Sequence, residues 1–191
     1  MTEQKDAPIV LFKTAALWRE WLAAHYAEPQ GVWLRFYKKG HGESIRHAEA
    51  LDEALCFGWI DGQAKPYDED SYLQKFTPRR ARSLWSKRNI EHVERLTREG
   101  RITPAGQAEI DAARADGRLD RAYDSPSNAQ VPADFIAALE KLPKAKSFFE
   151  TLNKTNRYAI TWRLQTAKKE ETRQRRMQQL LDMLERGEKF H

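Results

Sequence analysis

A chain of 191 residues can hold one large domain or two small ones, with a core that needs no disulfides. Hydrophobic residues make up 40% and charged residues 32%, which describes a globular protein with a heavily charged surface; the single cysteine excludes an internal disulfide and a cysteine-based zinc cluster. The formal charge of +5 is uneven: residues 1–76 carry 9 basic and 12 acidic side chains, residues 77–140 carry 11 and 10, and residues 141–191 carry 13 and 6. A basic C-terminal third can attract phosphates or acidic partners, or it can be a solvated helix face. No apolar run approaches the roughly 18 residues that cross a bilayer, so no membrane span is expected. The start, MTEQKDAPIVLFKT, lacks the basic and apolar regions of a secretory signal, so a cytoplasmic protein is expected.

Residues 1–11 read as a frayed lead-in. Thr14 is a plausible N-cap, and Leu17, Trp18, Trp21, Leu22 and His25 follow at helical spacing. Val32, Leu34 and Phe36 alternate with Trp33, Arg35 and Tyr37, the period of a strand. Residues 47–57 return to helix, with Leu51, Ala54 and Leu55 as the apolar stripe. Residues 59–65 and 72–77 read as short strands joined through Asp68 to Ser71, with prolines 66 and 78 at their ends, where a missing N–H costs least. Asp61-Gly62 is a turn signal within the first of them.

From Ser83 the pattern is helical. Ser83 and Ser86 compete as N-cap for a helix carrying Ile90, Val93 and Leu96, with Glu91/Arg95 and Glu94/Arg98 as i,i+4 pairs on its wet face. Thr103-Pro104 opens a second helix that Gly117 ends. Residues 123–131 are the clearest linker. Pro132 opens a helix with Phe135, Leu139 and Leu142, and Pro143 breaks it. Residues 155–186 form the longest helical stretch, with a break expected near 167–169 because Glu170 and Glu171 suit a helix start. The expectation is an α+β protein: a small, mostly antiparallel sheet with helices in the N-terminal part and an all-helical C-terminal part. The expected division is 1–80 as the small α+β part, 81–123 as a helical pair packed on it, and 132–191 as a C-terminal helical region.

Residues 54–89 concentrate the unusual chemistry. They hold the single cysteine, Trp59 and Trp85, and five cations between Arg79 and Asn89. Arg79, Arg80, Arg82, Lys87 and Arg88 surround Trp85; guanidinium forks bind phosphate and carboxylate bidentately, a tryptophan can stack, and Ser83 or Ser86 at a helix start adds N–H groups. The anion-binding reading takes Arg79, Arg80, Ser83, Trp85, Ser86, Lys87 and Asn89. The alternative is an arginine-rich join satisfied by acids such as Asp68 to Asp70. Cys56, Trp59, Asp61 and Lys65 could line a pocket. Against this, a cysteine flanked by Leu55 and Phe57 reads as a core residue, and Asp61 as a turn residue or the partner of Arg79 or Arg80. Lys168, Lys169, Arg173, Arg175 and Arg176 form a second basic cluster, with Lys169, Arg173 and Arg176 sharing a face. No metal or cofactor motif appears: the histidines lack ligand spacing, and GxSxG, HExxH and GxGxxG are missing.

The strings ALCFGWIDGQ and LQKFTPRRARSLWSKRN, followed by GRITPAG, AYDSPSNAQVP and NRYAITWRLQTAKKEETRQRR, resemble the bacterial YdeI/OmpD-associated, or bacteriocin-protection, family. The resemblance runs from about Trp18 to His191. It implies a role in protection or stress resistance and assigns no reaction and no catalytic residue. The expected function is therefore non-catalytic: a cytoplasmic protein acting by binding a small anion or a protein partner. Two alternatives stand beside it. One is nucleic-acid binding through clusters 79–88 and 168–176. The other is an enzyme on a small phosphorylated or carboxylated substrate, with Asp61 and Cys56 near the arginines.

Overall fold

The computed structural model describes residues 7–190, and among these it has eight helices and one four-stranded sheet. The protein is α+β, with helices alone in its C-terminal part. The chain forms two compact units, one comprising Met1–Ser83 with Asn89–Asp120, the other Leu84–Arg88 with Arg121–His191.

In the first unit, helix α1 (Ala15–His25) starts where Thr14 Oγ1 accepts the N–H of Leu17 at 3.3 Å. Trp18 and Leu22, one turn apart, are fully buried. Strand β2 (Val32–Tyr37) alternates strictly, with Val32, Leu34 and Phe36 inside. Gly31 precedes it at a φ of 66°, and a Cβ there would stand 2.2 Å from the Phe76 carbonyl oxygen, so glycine is required.

Strands β3 (Trp59–Pro66) and β4 (Ser71–Pro78) form an antiparallel hairpin, and β4 also pairs antiparallel with β2. Strand β1 (Ile9–Val10) runs parallel to β2 at the sheet edge, giving the order β1-β2-β4-β3. Residues 1–6 of the expected lead-in, and His191, lie outside the described residues; residues 9–10 are a strand rather than lead-in, too short to show a period in sequence. Asp61-Gly62 makes no turn. It lies inside β3, where the register shifts between Asp61 and Ala64 and the Gly62 carbonyl accepts from Gln74 Nε2 at 2.7 Å.

Helix α2 (His47–Cys56) buries Leu51, Ala54, Leu55 and Cys56. Helix α3 (Lys87–Arg98) buries Val93 and Leu96. Helix α4 (Pro104–Ala115) is joined to α2 through Thr103: its N–H and its Oγ1 donate to the Cys56 carbonyl at 3.0 and 2.7 Å, and Oγ1 accepts from Gly106 N at 3.3 Å. A Cβ on Gly106 would stand 2.2 Å from that carbonyl oxygen, so the two helices meet backbone to backbone. Arg95 takes other partners than the one expected along α3: it binds Asp52 of α2 at 2.7 Å and Glu99, one turn further on, at 3.1 Å.

The second unit carries α5 (Ala133–Leu139), α6 (Pro143–Thr151), α7 (Lys154–Gln165) and α8 (Glu170–Glu185). Pro143 is the first residue of α6, where its missing N–H would have no helical partner anyway. The break between α7 and α8 falls at residues 166–169. Phe135, Leu139, Ala145, Phe149, Leu152, Ile160, Leu164, Leu180, Leu181 and Leu184 form one buried cluster.

Candidate anion-recognising site

The chain leaves β4 through a tight turn. Arg79 N donates to the Gly58 carbonyl at 2.9 Å, and Ser83 N donates to the Arg80 carbonyl at 3.0 Å. Arg79 is 6% exposed and its Nη1 lies 3.5 Å from Ser83 Oγ. Arg118, 5% exposed, donates from Nη1 to the Ser83 carbonyl at 3.3 Å while its Nε is held by Asp116 at 2.7–2.8 Å. Two guanidinium groups thus lie beneath the turn. Arg80 and Arg82 stand exposed on it, with no ion-pair partner among the described residues. Arg82 has a φ of 67° and is the one non-glycine residue with positive φ among the described residues. An L-residue in this left-handed region is strained by about 1–2 kcal/mol.

The other members of the sequence-read site are committed elsewhere. Trp85 and Ser86 are buried, and the backbones of Trp85 and Lys87 bond to Tyr123. Lys87 Nζ pairs with Asp124 at 2.7 Å and holds that carboxyl below the usual carboxylate range. Asn89 is half-buried in α3. Helix α3 begins at Lys87, so Ser83 is a turn residue and not a cap candidate. Asp61 does not pair with Arg79 or Arg80: its Oδ2 lies 3.1 Å from His47 Nε2. Asp68 and Asp70 serve Arg35 and His41 instead.

Cys56, Trp59, Asp61 and Lys65 do not converge. Cys56 is fully buried, and burial pushes its thiol pKa up. Trp59 is fully buried, with Nε1 donating to the Tyr26 carbonyl at 2.7 Å. Asp61 is tied to His47, the first residue of α2, and Cys56 is the last; His47 and Cys56 are nine residues apart, about 13 Å along the helix axis at about 1.5 Å each. The Lys65 ammonium sits 4.3 Å from the centre of the Trp33 ring.

Sequence reading missed an ionic network in the first unit. Glu53, its side chain 7% exposed, accepts from Arg19 at 2.7 Å and Arg101 at 2.6 Å; Arg101 also binds Glu99, and Asp52 takes both His92 and Arg95. The links to Glu53 and Asp52 reach α2 from other parts of the chain, so i,i+4 spacing gives no signal of them. The second basic cluster divides in the same way. Arg173 pairs with Asp134 and Arg176 donates to the Arg163 carbonyl, whereas Lys168, Lys169 and Arg175 are exposed.

The chain's family follows from its halves. Residues 10–109, just over half of the chain, match the family described as Domain of unknown function (DUF8412), and the chain belongs to that family. Residues 128–187, which span α5 to α8, match the family described as Bacteriocin-protection, YdeI or OmpD-Associated, so the second unit carries a domain of that kind. The resemblance strings at 54–89 fall inside the first match, and the string at 156–176 inside the second. No curated protein and no solved structure matches the chain.

Proposed function

We propose that this protein acts in the cytoplasm by binding, in a protective role of the bacteriocin-protection type, and that the turn after β4 recognises a small anion. One observation carries the reading: Arg80 and Arg82 are exposed cations on a turn that holds Arg82 at a φ of 67°. A strained conformation persists where the surroundings over-determine it, and such positions cluster at ligand sites. Here the rigid Gly58, Ser83 and Arg118 contacts do the holding. Two guanidinium groups on neighbouring alternate positions suit bidentate contact with phosphate or carboxylate.

Thermal melts with and without inorganic phosphate test this. Phosphate at ten times its dissociation constant adds about 1.4 kcal/mol by mass action, a rise of about 3–6 °C for a chain of this size. Arg80→Ala removes that rise and leaves the phosphate-free melt close to parental. Arg82→Gly relieves the backbone strain, so its phosphate-free melt is at or above parental while the phosphate response is lost. Equal protection of parent and both variants would end the anion-site reading.

A further inference from the structure

The sheet has a second face that the turn site does not use. Strand alternation puts Trp33, Arg35 and Tyr37 of β2 opposite the buried Val32, Leu34 and Phe36. Register sets Lys75 beside Trp33, Leu73 beside Arg35, and Lys65 beside Leu73. A solvent-side sheet face ordinarily carries small polar residues. This one carries two aromatic rings, and Leu73 among them is only 1% exposed. The Lys65 and Lys75 ammonium groups lie 4.3 and 5.5 Å from the Trp33 ring centre. Arg35 lies 4.7 Å from the Tyr37 ring and 5.1 Å from the Tyr67 ring, and Tyr67 is 49% exposed.

The charges divide into two kinds. Arg35 is neutralised by Asp68 at 2.7 Å, so it serves to hold the two tyrosines. Lys65 and Lys75 have no ion-pair partner among the described residues, so their charge is available to a ligand. Arg35 and Gly42 both pack against the Tyr37 ring, which leaves Trp33 as the ring that can stack once Lys65 swings from its face onto a phosphate. A π-surface beside unneutralised ammonium groups complements unstacked bases joined by phosphates. Residues 33 and 37 stand about 13 Å apart along a strand, room for two or three nucleotides of an extended chain. A duplex hides the faces of its bases, so it can offer this surface its phosphates alone. We propose that this sheet face binds single-stranded nucleic acid, with Trp33 as the stacking platform and Lys65 and Lys75 on the phosphates.

Fluorescence anisotropy with a labelled short oligothymidylate, its duplex counterpart and an acidic peptide tests the surface across a salt series. The single strand binds more tightly than either competitor, and the logarithm of its affinity falls with log salt at a slope of about −0.7 per phosphate contacted. Trp33→Ala weakens binding by about five- to hundredfold, and Trp33→Phe, which keeps a ring, loses much less. Lys65→Glu and Lys75→Glu each weaken binding and flatten the salt slope, whereas Lys168→Glu on α8's approach leaves both unchanged. Absence of binding at low salt, equal affinity for the duplex or the peptide, or indifference to Trp33→Ala in a variant that melts like Trp33→Phe would each overturn the proposal. None of these variants touches Arg80 or Arg82, so this surface and the phosphate-binding turn stand or fall separately.

Discussion

Two of the three deeply buried indoles, Trp18 and Trp59, lie in the first unit and have fixed polar anchors, whereas the second unit holds Trp85 and a core cluster that is mainly aliphatic. Trp18 and Trp59 are fully buried, and each donates its Nε1 hydrogen to a named carbonyl, Ala50 and Tyr26 respectively. Glu53, Arg79, Gln74 and Arg118 are buried in the same unit. The core cluster of the second unit is Leu, Ile, Phe and Ala. A hydrogen-bonded indole tolerates one position and one orientation, because a misplaced buried donor costs its full desolvation. Leucines repack more freely at constant volume. The contrast teaches that geometry is most tightly specified in the unit that carries the strained turn and the aromatic sheet face.

Substitutions break or sharpen that contrast. Trp59→Ala gives the largest effect, a loss of about 3–5 kcal/mol in chemical denaturation, from lost contacts and a residual cavity. Trp59→Phe retains a large ring but orphans the Tyr26 carbonyl; if it melts like the parent, the polar anchor does not specify the core. In the second unit Leu184→Ala costs about 3 kcal/mol, and Leu184→Met costs less than about 1.5 kcal/mol, as repacking at similar volume allows. A steep loss with methionine would show that the aliphatic core is as exacting as the indole one. The smallest effect is electrostatic. Arg173 holds the Asp134 carboxyl below the usual range. A carboxyl with a depressed folded pKa stabilises above its unfolded value, and that stability is lost as pH falls through the folded one. The melting temperature should therefore be flat at neutral pH and decline below about pH 4. Asp134→Asn should flatten part of that decline while lowering the neutral-pH melt by less than about 1 kcal/mol, because the pair is half-exposed and screened.

What the sequence disclosed and what it hid have separate physical causes. Caps and breaks are local, so Thr14, Thr103 and the helix break before Glu170 could be read from neighbouring residues. Period two gave β2, and the β3–β4 hairpin followed from its prolines and acidic loop. Strand β1 was invisible because two residues have no period. The bulge at Asp61-Gly62 mimicked a turn because both conformations favour the same residue types. At the candidate site the sequence identified a cluster of cations but not which of them were available. Arg79 faces inward and Lys87 takes Asp124, while Arg80 and Arg82 stay in solvent. That sorting depends on Gly58, Arg118 and Asp124, partners distant in sequence, and composition carries no trace of it. The stacking face was likewise concealed, because Trp33, Lys65 and Lys75 meet only through strand register.

The joint at Thr103 also sets a timetable for synthesis. β4 ends at Pro78, and Thr103 emerges about 25 residues later; at about 5–20 residues per second a ribosome takes roughly 1–5 s over that stretch. Hairpins and helices form within microseconds. The sheet and α2 can therefore be complete while the Cys56 carbonyl still awaits the two Thr103 donors, which have not been made. For those seconds the Leu55 and Cys56 carbonyls lack the close backbone of Gly106, and translation speed rather than intrinsic folding rate decides how long they stay uncovered.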